Sequence, residues 1–166
     1  MMNGLLIGRF QPFHKGHLSA ISFGLSKVDN LWIGIGSSNK SYEKRNPFTA
    51  DERKEMIISS LDSESLNRIK IFYVPDIGDH EKWTIHVDSI VPNYDVVFSN
   101  DDFTISLYKK RGTNIIEVPL LQRDMISGTR IRELIVKNQD WASLVPEGTR
   151  KILNKINAKE RLAKIL

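Results

Sequence analysis

Between Gly8 and His17 the chain reads Gly-Arg-Phe-Gln-Pro-Phe-His-Lys-Gly-His, an arginine, two imidazoles and two glycines within ten residues. The apolar run Gly4-Leu5-Leu6-Ile7 before it reads as a strand. After it, Leu18, Ile21, Leu25 and Val28 recur on one face of a helix. The polar cluster therefore falls where a strand hands over to a helix. In open sheets such junctions bind ligands, and the unpaired amides and positive dipole end of the helix favour an anion. His14 and His17, three positions apart, can face one phosphate, and Gly16 lets that phosphate approach the backbone. Pro12 stiffens the turn, while Arg9 can grip outer phosphate oxygens through two parallel N–H groups. A lone histidine is usually structural; His14, His17, Arg9 and Gly16 together read as a phosphate site.

A second cluster lies at Ile126-Ser-Gly-Thr-Arg-Ile-Arg132. On one reading Ser127 is a helix cap and Arg130 and Arg132 are solvated surface. On the other, the Ser127 and Thr129 hydroxyls, the Gly128 amide and Arg132 form a second anion-binding helix start. Paired across a fold, the two segments suggest a nucleoside triphosphate held at both ends.

The elements that must position these groups follow from periodicity. Strands are expected at Gly4 to Ile7, Leu31 to Ile35, Ile69 to Val74, Asp95 to Phe98 and Asn114 to Val118, each short and apolar as in strands covered on both faces. A capping box, Thr49-Ala50-Asp51-Glu52, opens a second helix ending near Leu61; a third covers Trp83 to Val91 and a fourth Phe103 to Lys110. This alternation predicts an α/β fold with a doubly wound, parallel, five-stranded sheet and helices on both faces. From Ser127 helices follow one another: Thr129 to Lys137, Trp141 to Leu144, Pro146 to Ile156 with proline at the first position, and Ala158 to Leu166. The expectation is one domain over 1–166, a parallel core of about 1–126 and a helical part of about 127–166, with Ser37 to Phe48 the longest loop.

The totals exclude several alternatives. With 166 residues, 40% of them hydrophobic, the chain can build a packed core, and no apolar run nears the roughly 20 residues of a membrane span. The amino end runs into a strand rather than a cleavable leader, so a cytoplasmic location is expected. The absence of cysteine removes disulfides, thiolate metal sites and a thiol nucleophile, leaving oxygen and imidazole ligands for any metal. Net charge is +4 and scattered. Its densest stretch, from Arg150 to Lys164, has the spacing of a solvated helix face, and aromatic and basic residues are not interleaved, so no nucleic-acid partner is expected.

The first segment resembles the H-x-G-H signature of the nucleotidyltransferase superfamily. In its fuller form it is similar to the archaeal type of nicotinamide mononucleotide (NMN) adenylyltransferase. Four further segments agree: Arg45-Asn46-Pro47-Phe48-Thr49-Ala50-x-Glu52-Arg53, Pro75-Asp76-Ile77, Trp83 with His86, and Ser127-Gly128-Thr129-x-x-Arg132. The resemblance covers essentially the whole chain and implies a Rossmann-like fold in which ATP and NMN give NAD and diphosphate, with Mg²⁺ accompanying ATP. It implies catalytic roles for His14, His17, Arg9 and Arg132. It assigns Gly8, Phe10, Gly16, Ser127, Gly128 and Thr129 to ATP, with Ser127, Thr129 and Arg132 holding the β- and γ-phosphates. Trp83, Arg45, Phe13 and His80 fall on the NMN side. No protein-borne metal site is implied; a homo-oligomer is, with a hexamer as the family form.

Several residues carry two readings. Trp83, among Glu81, Lys82 and Thr84, is either a core anchor or a platform for the nicotinamide ring. Arg45 is a surface charge or a ligand for a substrate phosphate. Asp101-Asp102 reads as a helix cap rather than a metal pair. Ser99-Asn100-Asp101-Asp102 stands where relatives carry a Gly-Asn-Pro turn, and His80 where an asparagine is expected. Rival functions are a transferase of the same superfamily acting on flavin mononucleotide, phosphopantetheine or a polyol phosphate, and a silent nucleotide sensor.

Overall fold

The computed structural model describes residues 1–166 apart from Leu120, Arg123 and Asp124. Five parallel strands, β1 (Asn3–Gly8), β2 (Asn30–Gly36), β3 (Ile69–Val74), β4 (Val96–Ser99) and β5 (Ile115–Glu117), form one sheet in the order β3-β2-β1-β4-β5. The chain winds outward from β1 to β3, then returns to the other side of β1 for β4. That reversal opens a crevice at the carboxyl ends of β1 and β4, where Gly8 lies opposite Ile35 and Leu6 opposite Phe98.

Side-chain alternation along the strands explains why helices cover both faces. Leu6, Ile33 and Phe98 point into one buried cluster, with Ile21 of α1 (Lys15–Leu25) and Met56 and Ile57 of α2 (Ala50–Ser60). Leu5, Trp32 and Val97 point into the other, with Val87 of α4 (Trp83–Asp88) and Tyr108 of α5 (Asp102–Lys110). The helices α6 (Gly128–Val136), α7 (Glu147–Lys155) and α8 (Ala158–Ile165) extend the first cluster through Ile131, Ile135, Ile152, Leu153 and Leu162. At 25 cal/mol per Å², burying one such aliphatic side chain contributes roughly 1.5–3 kcal/mol.

Three boundaries differ from expectation. A short helix, α3 (Ser63–Asn67), follows α2; capped by Asp62 and burying no side chain, it has no apolar stripe to betray it. The helix begun at Trp83 stops at Asp88 rather than Val91, the chain closing in a turn where the Ile90 N–H bonds to the Val87 carbonyl before Pro92. Pro146 is the N-cap of α7 rather than its first helical residue.

Candidate active site

α1 begins at a cap built from imidazoles. The Nδ1 of His14 accepts from the backbone N–H of Gly16 (3.0 Å) and of His17 (3.3 Å), and the Nδ1 of His17 accepts from the backbone N–H of His14 (3.1 Å). The two rings stack with centroids 3.6 Å apart. A backbone N–H can only donate, so both Nδ1 atoms are unprotonated and each ring carries its proton on Nε2. Burial pulls His14 down to about 4, and burial followed by the neighbouring His14 pulls His17 well below its ordinary value. Both imidazoles are therefore neutral near pH 7, each with one N–H left to donate.

Gly16 is required by this packing: a Cβ there would sit 2.8 Å from Cε1 of His14. Phe13 lies in the core with 0% exposure and stacks behind His17 at 5.8 Å, while Phe10 meets the same ring edge-on at 4.8 Å. Phe13, expected on the NMN side, has no exposed surface in this structure and backs His17. Phe10 holds φ of 54°, an uncommon conformation for a bulky residue, in the turn between β1 and α1.

The second helix start meets the first. Ser127 caps α6, its Oγ accepting from the Arg130 N–H at 3.2 Å. A Cβ on Gly128 would lie 3.0 Å from the Gln11 carbonyl oxygen and 2.9 Å from Nη1 of Arg132, so a side chain there would force both to shift. Arg132 is 9% exposed; its Nη1 donates to the Gln11 carbonyl at 2.7 Å and its Nη2 to Oγ1 of Thr129 at 3.4 Å. Gln11 also exchanges two bonds with the backbone of Phe48, donating from Nε2 at 3.3 Å and accepting at Oε1 at 3.0 Å. One glutamine thereby joins both anion segments to the loop before α2.

Between the two helix starts lies a cavity of about 500 Å³. Gly8, Arg9, Phe10, His14, Gly16 and His17 line it from the first segment and Ser127 and Gly128 from the second. Trp83 lines it as well, with its ring edge against Tyr108 at 6.2 Å, so it faces core and cavity at once. Five expected residues are not in the lining, the first being Phe13, fully buried behind His17. Arg132 is turned onto the Gln11 backbone and Thr129 is exposed beside it. Arg45 is exposed on its loop; His80 is exposed and packs against the ring of Phe103 at 5.2 Å.

Sequence reading gave no role to Ser37, Asp76 and Ser99, which also line the cavity, as do Asn100 and Asp101. Asp76 accepts from the Ser37 hydroxyl at 3.0 Å, and Asp101 caps α5 through the Thr104 N–H at 2.9 Å, in agreement with the capping reading. Pro75-Asp76-Ile77 marks Asp76 and the Ser99-Asn100-Asp101-Asp102 segment marks Ser99, while nothing local marks Ser37.

The site is electropositive. Burial and then Arg45 depress the Arg9 guanidinium, with Asp76 and Asp101 opposing; burial, then Arg9 and Arg45, depress Arg132. Among the described residues neither Arg9, Arg45 nor Arg132 makes an ion pair with a carboxylate. Guanidinium groups without carboxylate partners near a cavity flanked by two helix starts suit a polyanion.

A model of the cytidylyltransferase-like family matches residues 5–134. The nicotinamide-nucleotide adenylyltransferase of Pyrococcus furiosus is 38% identical over 165 residues, covering 98% of this chain and 88% of that one. The enzyme of the same name from Saccharolobus solfataricus is 40% identical over 168 residues, covering 100% and 98%. In fold, the chain is similar to a bifunctional NMN adenylyltransferase/ADP-ribose pyrophosphatase from Francisella tularensis, solved with AMP and a manganese ion, at a TM-score of 0.80 and 23% identity. The match covers 99% of this chain and 51% of that structure, so this chain spans about half of it. The H-x-G-H cap, the second helix start and this shared sequence agree: the chain belongs to the cytidylyltransferase-like family, among the archaeal nicotinamide-nucleotide adenylyltransferases.

Proposed function

We propose that the chain transfers the adenylyl group of ATP to nicotinamide mononucleotide, forming NAD and diphosphate. The 5′-phosphate oxygen of the mononucleotide forms a bond to the α-phosphorus in line while the bond to the bridging oxygen of the β-phosphate breaks, and diphosphate leaves with that electron pair. The observation that carries this reading is the pair of neutral imidazoles locked by backbone N–H groups at a helix start. With Nδ1 engaged and Nε2 protonated, neither histidine has a lone pair to act as a base. The chemistry they support is donation to an anion, and a phosphate nucleophile, already ionised, requires no base.

In this reading Nε2–H of His17 serves the α-phosphate, His14 stands beside it, and Arg9 takes charge growing on the diphosphate. Ser127, Gly128 and Thr129 present the second helix start to the β- and γ-phosphates, and the adenine lies against backbone near Ser127. Arg132 contributes charge and holds Gln11. Trp83 is the platform for the nicotinamide ring. Arg45 reaches a substrate phosphate, and His80 stands at the rim.

ATP is taken as its magnesium complex, the ion held by phosphate oxygens as part of the substrate. The donor set favours this over a resident metal: Asp76 and Asp101 are the carboxylates of the cavity wall, and no group of three or more metal-binding side chains occurs among the described residues. No described helix is long and apolar enough to cross a membrane, and a cytoplasmic location belongs to the proposal. A homo-oligomer, with the hexamer as the family form, belongs to the same reading.

The deciding experiment is NAD formation by the purified protein. ATP with NMN gives NAD and diphosphate; flavin mononucleotide, phosphopantetheine and glycerol phosphate, each tried with ATP and CTP, give no comparable product. Turnover confined to one of those acceptors would replace the proposal, and ATP binding without any transfer would make the chain a sensor.

A further inference from the structure

Arg53, on the first turn of α2, is 0% exposed and is the largest fully buried side chain of the protein. Its Nε donates to the Thr49 carbonyl (3.1 Å), its Nη1 to those of Arg9 (2.9 Å) and Gly36 (2.8 Å), and its Nη2 to those of Ser37 (3.1 Å) and Lys40 (3.3 Å). A guanidinium has five N–H groups, and all are used on backbone. Among the described residues no carboxylate forms an ion pair with it.

A buried charge without a counterion is costly, and here it is held by five backbone carbonyls. What singles out Arg53 is the set of carbonyls it gathers. Arg9 follows β1, Gly36 ends β2, Ser37 and Lys40 begin the long loop, and Thr49 caps α2. Arg9, Gly36 and Ser37 line the cavity. A Cβ on Gly36 would lie 3.8 Å from Cγ of Arg9, so the two strand ends meet at the root of the Arg9 side chain.

We propose that Arg53 is a positioning residue for the triphosphate: by clamping the Arg9 carbonyl to the end of β2 and to the following loop, it sets where the Arg9 guanidinium meets phosphate. This rests on the reading that the cavity takes ATP. The claim is specific because lysine keeps the charge but has three N–H groups on one nitrogen and cannot span five carbonyls.

The test is a double-mutant cycle on binding of ATP alone, by calorimetry at a temperature well below melting, with R53K, R9A and the pair. R53K is expected to weaken ATP binding about tenfold, the scale of losing one hydrogen bond to a charged group. It should leave the KM for the mononucleotide within about twofold. In the R9A background the same substitution should change ATP affinity by less than about twofold, since the group it positions is gone. Unchanged ATP affinity in R53K, with only a lower melting temperature, would overturn the proposal, as would effects that simply add. Should R53K fail to fold, the wild type supplies the second measurement. ATP alone should slow amide exchange across Ser37–Lys40, which Arg53 ties to Arg9, and unaltered exchange there would overturn the proposal. A wild type that binds no ATP would instead remove the reading on which it rests.

Discussion

The starts of α1 and α6 are written alike, each with a polar cap and a glycine that line the cavity, yet their nitrogen-bearing side chains are used in opposite ways. At α1 the side chains that cap the helix also line the cavity, because an imidazole can accept from the backbone at Nδ1 and still donate from Nε2. At α6 the serine caps and the arginine turns inward to a carbonyl 121 residues away. A bifunctional ring can serve fold and ligand together. A guanidinium that must satisfy a buried carbonyl has fewer N–H groups left for a phosphate.

The largest effect is expected at the first helix start. His17→Ala should lower kcat by about 10²–10³ while weakening ATP binding far less, because the donor meets charge that grows in the transition state. Wild-type turnover in that variant would remove the α1 side of the contrast.

Arg132→Ala tests the other side. It removes a charge and leaves the Gln11 carbonyl unpaired, so ATP affinity should fall by roughly 10-fold or more and stability by about 1–3 kcal/mol. A surface arginine would move neither, and a loss of affinity with unchanged melting would mean that Arg132 faces the ligand instead of the backbone.

A substitution off both helices sharpens the comparison. Trp83→Ala should raise the KM for the mononucleotide roughly five- to 150-fold, the worth of one base–aromatic stack, with the KM for ATP unchanged. Because Trp83 also packs on Tyr108, some loss of melting temperature accompanies it. Early melting with an intact acceptor KM would make it a core residue only.

The smallest effect is a pH dependence of stability confined to the α1 cap. His14 sits at about 4 in the fold against 6.5 as a free side chain. Between those values the unfolded chain binds the extra proton, so the stability from this group is fully present above pH 6.5 and is lost as pH falls toward 4. The slope is at most about 1.4 kcal/mol per pH unit for one group. His14→Asn keeps a capping side chain and removes the titration, so the stability difference between wild type and variant should shrink as urea midpoints are compared at pH 7, 6 and 5. A constant difference would show that His14 charges freely. For the same reason His14 and His17 should contribute no acid limb near pH 6.5 to kcat/KM.

Much of the fold was legible because its signals are local. Short apolar strands alternate with helical stripes, and that order gives a parallel sheet whose reversal at β4 fixes where a ligand can lie. The histidine-bearing turn marked one wall of the cavity without help from tertiary structure, and Thr49 with Glu52 announced α2. The short α3 escaped notice because it buries nothing.

The sequence by itself therefore determined the class of fold and the family and singled out the two helix starts that flank the cavity, since each of these signals is local. Only the tertiary structure decided which way the polar side chains face. Phe13 went behind His17, Arg132 onto Gln11, and Arg53 beneath Arg9, across separations of 4, 121 and 44 residues. The physical reason is common to the two arginines. Backbone carbonyls at strand ends and in loops must be satisfied once buried, and no periodicity in the sequence announces which distant N–H group will satisfy them.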